Sequence, residues 1–171
     1  MPTDDKLIYL IFTAQQKLRT HLSNFMIREN IRVTPAQAGI LFLLTQKDGR
    51  TMSELSRILS IDNSTITGLV DRLEKAGLVR RDSGPNDRRT SHVYVSPEGM
   101  QEAEKAGRVV RKVNQEIKDG FTAEELESLK KILRSFFQKF NAGTRQESMG
   151  REKKSGGNLI AEKGNNEQID R

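Results

Sequence analysis

Residues 51–99 read TMSELSRILS IDNSTITGLV DRLEKAGLVR RDSGPNDRRT SHVYVSPEG, and the spacing of their apolar positions changes twice. Thr51 stands three residues before Glu54, the spacing at which a cap hydroxyl and a carboxylate satisfy each other's backbone N–H groups. The short helix so opened carries Leu55, Ile58 and Leu59 and breaks at Ser60-Ile61. Asp62 then caps a second helix, in which Ile66, Leu69, Val70 and Leu73 recur at helical spacing on one face. Gly77 follows where a helix-ending residue turns into the left-handed region without a Cβ penalty. Beyond it the period falls to two. Residues 78–81 and 90–95 are strand-like, with Val93 and Val95 alternating against His92 and Tyr94. The polar stretch 82–89 between them, with Gly84, Pro85 and Asn86, is a loop longer than a tight turn.

Working outward, Thr34-Pro35-Ala36-Gln37 is another capping box with proline at the first helical position. The helix it opens, to about residue 46, is apolar almost all round (Ile40, Leu41, Phe42, Leu43, Leu44) and is expected to be the central buried helix. Asp48-Gly49 ends it. At residues 4–28, Leu7, Ile11, Ala14, Leu18, Leu22 and Phe25 form one stripe, which Ile8, Leu10 and Phe12 widen beyond the needs of a single packing partner. On the other side, Ser96-Pro97 starts a helix with Ala106, Val110, Val113 and Ile117 in line. A third capping box at Thr122 and Glu125 opens a last helix containing Leu126, Leu129, Leu133, Phe136, Phe137 and Phe140. The three phenylalanines imply a buried contact, within the chain or with a second one. After residue 140 the pattern stops, and 141–171 is expected to be an unstructured tail.

The predicted fold class is therefore mostly α with a small β-hairpin wing: a winged helix–turn–helix plus a helical dimerisation region. Its expected divisions are 1–33, an N-terminal dimerisation helix; 34–96, the winged unit; 97–140, C-terminal dimerisation helices; and 141–171, the tail. No internal repeat at a fixed period is visible.

Composition narrows the function classes. The chain has 171 residues, 30% of them charged, with a formal net charge of +6, which favours polyanionic partners. Cysteine is absent, so disulfides and thiol sensing are excluded. Acids near the start and the lack of a long apolar run lead to the expectation of a soluble cytoplasmic protein without a membrane partner. With two histidines, no glycine-rich phosphate loop and no spaced carboxylate pair, no catalytic residues, metal site or cofactor are expected, and an enzyme is not.

Helix, turn, helix, then strand, loop, strand with arginines in the loop is the order of a winged DNA-binding unit. The second helix offers Asn63, Ser64, Thr65 and Thr67, short polar groups suited to a major groove, with Arg72 and Lys75 placed for phosphates or base edges. The plainer alternative is helix-start chemistry for the hydroxyls and, for Arg72, a salt bridge to Asp71 or Asp62. In the loop, Arg88 and Arg89 suit a narrow minor groove, with Asp87 holding one of them extended; a solvated charge cluster is the alternative. Arg80 and Arg81 are expected to flank the DNA backbone.

Taken together, these residues resemble regulators of the MarR family. Ser53-Glu54-Leu55, residues 62–67, residues 70–79, Asp87-Arg88-Arg89-Thr90 and Val95-Ser96-Pro97-Glu98-Gly99 carry the likeness. Asp87 and Arg89 match the family's Asp-x-Arg wing; Val95 and Ser96 match its next helix start loosely, and Gly68 departs from the Arg or Lys often found there. The helical pattern extends the resemblance to about residues 5–140. It implies a homodimer, with the first and last two helices as the dimer region and one winged unit per half of a pseudo-palindromic operator on double-stranded DNA. It also implies repression relieved by a small, often aromatic, ligand, for which His21, Phe25, Arg28 and Phe42 are the candidate pocket. The competing reading is an architectural DNA binder without an effector, or a winged helix used for protein contact.

Overall fold

The structure, a computed structural model, describes residues 6–83 and 91–155, with side chains described over 6–82 and 91–140. The elements in order are α1 (Leu7–Arg28), α2 (Pro35–Gln46), β1 (Arg50–Thr51), α3 (Met52–Leu59), α4 (Asn63–Lys75), β2 (Val79–Ser83), β3 (Ser91–Val95), α5 (Pro97–Lys118) and α6 (Ala123–Ser155). They fall into two compact units, Met1–Ile117 and Lys118–Arg171.

The core of the first unit is centred on α2, as its near-continuous apolar run predicts. Ile40, Leu41 and Leu44 are fully buried with Leu55 of α3, Ile66, Val70 and Leu73 of α4, Leu78, and Val93 of β3. Each large aliphatic side chain so buried contributes roughly 1.5–3 kcal/mol. Met26 of α1 and Ala106, Val109 and Val113 of α5 extend the same cluster. Phe42 departs from the pattern: it points away from the core and is exposed.

All three capping boxes form. Thr34 N–H donates to Gln37 Oε1 at 2.9 Å, Thr51 N–H to Glu54 Oε2 at 2.8 Å and Thr122 N–H to Glu125 Oε2 at 2.8 Å. In each, the threonine hydroxyl accepts the return N–H. The wing is larger than a hairpin by one strand. β1 pairs antiparallel with β3 on the side away from β2, giving the order β1-β3-β2 with Arg50 opposite Val93. Two residues are too few to show a period, which is why the sequence pattern passes over β1.

Two junctions hold the winged unit to α5. Ser96 N–H donates to the Leu78 carbonyl at 3.0 Å, and the Ser96 hydroxyl donates to the Gly77 carbonyl at 2.7 Å. Gly99 is pressed so close that a Cβ there would lie 2.0 Å from the Leu78 oxygen, so only glycine fits. On the next turn the buried Glu102 carboxylate accepts the Arg32 backbone N–H at 3.0 Å and the Lys105 ammonium at 2.8 Å. Burial alone raises this carboxyl; the Lys105 hydrogen bond, the Arg32 N–H and the two cationic charges outweigh it and hold the group below the ordinary glutamate value.

The second unit corrects the expected end of ordered structure. α6 continues to Ser155 instead of stopping near residue 140. Apolar periodicity marks where a helix is packed, not where it ends. Residues 141–155 include Ala142, Arg145, Gln146, Glu147, Met149, Arg151, Glu152, Lys153 and Lys154, good helix formers that propagate an existing helix in spite of Gly143 and Gly150. The rest of the expected tail, 156–171, lies outside the described residues.

Candidate nucleic-acid interface

α4 is built to bury one face and offer the other. Ile66, Leu69, Val70 and Leu73 are buried, while Asn63, Ser64, Thr65, Thr67, Arg72 and Lys75 are all exposed. The helix starts at Asp62, whose carboxylate accepts the Thr65 N–H at 2.8 Å, the Thr65 hydroxyl at 2.7 Å and the Ser64 hydroxyl. The Ser64 hydroxyl first, then the Thr65 hydroxyl and N–H, hold the Asp62 carboxyl far below the usual carboxylate range. Thr67 donates its hydroxyl to the Asn63 carbonyl at 2.8 Å. Helix-start chemistry and an outward-facing position therefore coexist in these residues. Arg72 is not paired with Asp71 or Asp62, because those carboxylates are taken by Arg81 and by the cap. Among the described residues neither Arg72 nor Lys75 makes an ion pair, so both cations are available to a polyanion.

Arg81 corrects an expectation. It does not stand out toward a phosphate backbone but turns back from β2 onto α4. Its Nη2 bonds Asp71, its Nε lies 3.7 Å from Glu74 Oε2, and its backbone N–H donates to Glu74 Oε1 at 3.0 Å. The reason is geometric: in a strand, neighbours face opposite ways, and Val93, paired with Arg81 across the ladder and so on the same face, is buried in the helical core. Asp71 and Glu74, three apart on one side of α4, supply the matching carboxylates. The clamp ties the base of the wing to α4. Arg80 faces the other way, held by Asp82 at 2.7 Å with its guanidinium 4.6 Å over the Tyr94 ring, its cross-strand partner. The expected wing residues Asp87, Arg88 and Arg89 lie outside the described residues.

Of the four candidate effector residues, three meet. His21 stands edge-on to Phe25 at 6.1 Å between ring centroids and hydrogen-bonds Glu116 through Nε2 at 2.9 Å. Arg28 lies 5.0 Å and Lys112 4.6 Å from the Phe25 centroid. Phe25, Ile31 and Val109 line a cavity of about 420 Å³ whose polar lining is Lys105, Arg108 and Lys112, with the Glu29 carboxylate. His21, Arg28 and Phe42 do not line it. Periodicity could not have found Lys105 and Arg108, since long cations on a helix surface read as solvated.

A helix–turn–helix in contact with a three-stranded wing, with an outward polar and cationic face on its second helix, defines a winged helix–turn–helix DNA-binding unit. Residues 33–91 match the MarR family model. The HTH-type transcriptional regulator YsmB of Bacillus subtilis is 31% identical over 133 residues, covering 76% of this chain and 85% of that one. The homoprotocatechuate degradative operon repressor of Escherichia coli is 26% identical over 145 residues, covering 85% and 95%. Among solved structures, a mutant MarR from E. coli complexed with operator DNA superposes with a TM-score of 0.71 at 29% identity, covering 77% of this chain and 93% of that one. The chain belongs to the MarR family of DNA-binding transcriptional regulators, which are not enzymes. Among the described residues no helix is long and apolar enough to cross a membrane.

Proposed function

We propose that the protein binds a pseudo-palindromic operator as a homodimer and represses transcription until a small anionic ligand with an aromatic body releases it. The observation that carries this reading is the division of α4, buried along one face and bearing on the other Arg72 and Lys75, which make no ion pair among the described residues. Asn63, Ser64, Thr65 and Thr67 are the proposed major-groove contacts. Asp87, Arg88 and Arg89 are the proposed minor-groove contacts.

Dimerisation is supported by apolar surface that one chain leaves uncovered. Ile8, Leu10 and Phe12 on α1, and Leu129, Ile132 and Phe137 on α6, are exposed large hydrophobic residues. Two copies place two winged units on two half-sites, and a closed two-fold dimer is the commonest way to bury such faces. Repression follows from occupying the duplex, and a repressor of a degradative operon is among the relatives. For the ligand, the cavity beside Phe25 supplies an apolar wall and the Lys112 ammonium, which makes no ion pair among the described residues, next to Lys105 and Arg108, which are paired with Glu102 and Glu104. An aromatic ring bearing one carboxylate suits that combination.

The test is the dependence of binding on sequence and salt. A specific regulator holds its operator about 10³-fold or more tighter than random duplex, and the affinity falls steeply as salt rises. Arg89→Ala is expected to weaken all duplexes alike. Equal affinity for every duplex would replace this reading with an architectural binder, and no binding at all would point to protein contact.

A further inference from the structure

The hydroxyls of the recognition helix do not have free protons. Asp62 is ionised and can only accept, so the Ser64 and Thr65 O–H groups must both point their hydrogens at it. Thr67 has donated its hydrogen to the Asn63 carbonyl, as a threonine one turn into a helix often does. Three neighbouring exposed oxygens are thereby left with lone pairs alone directed outward. The Thr65 N–H, which at an uncapped helix start would meet a phosphate, is also consumed by Asp62.

A major groove presents donors only at the adenine N6 and cytosine N4 amino groups, whereas guanine offers the acceptors N7 and O6. We propose that Ser64, Thr65 and Thr67 are specificity determinants that read amino groups, selecting adenine or cytosine at the bases they face and rejecting guanine, whose O6 and N7 are both acceptors. Asp62 sets this polarity as a positioning residue, without touching DNA. The proposal rests on the operator-binding reading above and names the base class that this helix takes. A guanine acceptor set against these oxygens brings lone pair against lone pair in a desolvated interface, which is the repulsive half of the selection. The methyl groups of Thr65 and Thr67 suit the neighbouring thymine methyl in the same groove.

The experiment starts with the full chain and a randomised duplex library, from which a binding duplex is selected. Within it, each adenine in the contacted half-site is replaced in turn by purine, which lacks the N6 amino group, and by 7-deazaadenine, which lacks the N7 acceptor. Affinities are compared for the natural chain and for Thr65→Val, which keeps the methyl group and the N–H cap to Asp62. Ser64→Ala and Thr67→Val are tested in the same way, with N4-deleted cytosine analogues where the contacted base is cytosine. The expected result is a loss of about tenfold on deleting the amino group at one position, absent in the matching variant, with no such coupling to N7. Coupling to N7 instead, or no coupling to any amino group in all three variants, overturns the proposal. A library that yields no preferred duplex overturns the operator reading itself. Asp62→Asn is expected to keep the helix cap yet admit guanine in the same selection, because the amide no longer holds both hydroxyl protons.

Discussion

Helices α1 and α4 both carry an apolar stripe, but only α4 finds cover for all of it within its own unit. Ile66, Val70 and Leu73 are wholly buried against α2, α3 and the sheet. On α1 only the C-terminal end is covered. Met26 is 1% exposed, whereas Ile8 is 86% and Phe12 60% exposed. The difference separates two kinds of stability. The winged unit is finished by its own chain and keeps its polar face free for DNA. The first half of α1 carries apolar surface that a soluble monomer rarely leaves bare, and so it calls for a partner.

The sharpest way to break this contrast is Phe12→Glu. It places a charge on surface that is already exposed in one chain, so the winged unit should fold unchanged by circular dichroism. The dimer dissociation constant should rise about 100-fold or more, since a buried unpaired carboxylate is costly. Operator affinity should fall with it. Sedimentation that shows an unaltered dimer would remove α1 from the interface.

The converse substitution, Arg81→Met, acts on the side of the contrast that one chain completes. It leaves Asp71 and Glu74 without their cation and frees the base of the wing from α4. Because all three side chains are partly exposed, the cost to folding should be about 1–2 kcal/mol, read from denaturant unfolding. Operator affinity should drop about tenfold while the dimer constant stays the same. A loss of dimer without loss of wing order would contradict the division.

The smallest effect expected is a gain. An added Cβ at Gly68 meets nothing within 4 Å, and the residue sits in the middle of α4. Gly68→Ala should therefore stabilise the winged unit by about 0.5–1 kcal/mol, raising the thermal midpoint by about 2 °C. A decrease would mean that the backbone at Gly68 needs room that the structure does not reveal.

Much of this architecture is legible in local pattern. Thr34, Thr51 and Thr122 announce their helices because a capping box is satisfied within four residues. Gly77 is legible for the same reason: a left-handed turn after a helix is a local demand. The inner face of α4 can be read from period alone, and the outer face follows by subtraction. What was not legible depends on groups far apart in the chain. β1 exists only because β3 is there to pair with it. Arg81 looks like one more surface arginine until the strand places it over Asp71 and Glu74. Glu102 reads as a solvated acid on α5, yet it is 2% exposed because the Arg32 segment lies across it.

The sequence by itself determined the order of the helices and of the wing hairpin, the capped helix starts, and which side of α4 turns inward, because each of these is settled by neighbours within a few residues. Only the tertiary structure decided that Arg81 holds the wing rather than DNA, that the cavity cations are Lys105, Arg108 and Lys112, and that the apolar start of α1 is left uncovered. Those outcomes depend on which distant surfaces meet, and periodicity carries no record of that.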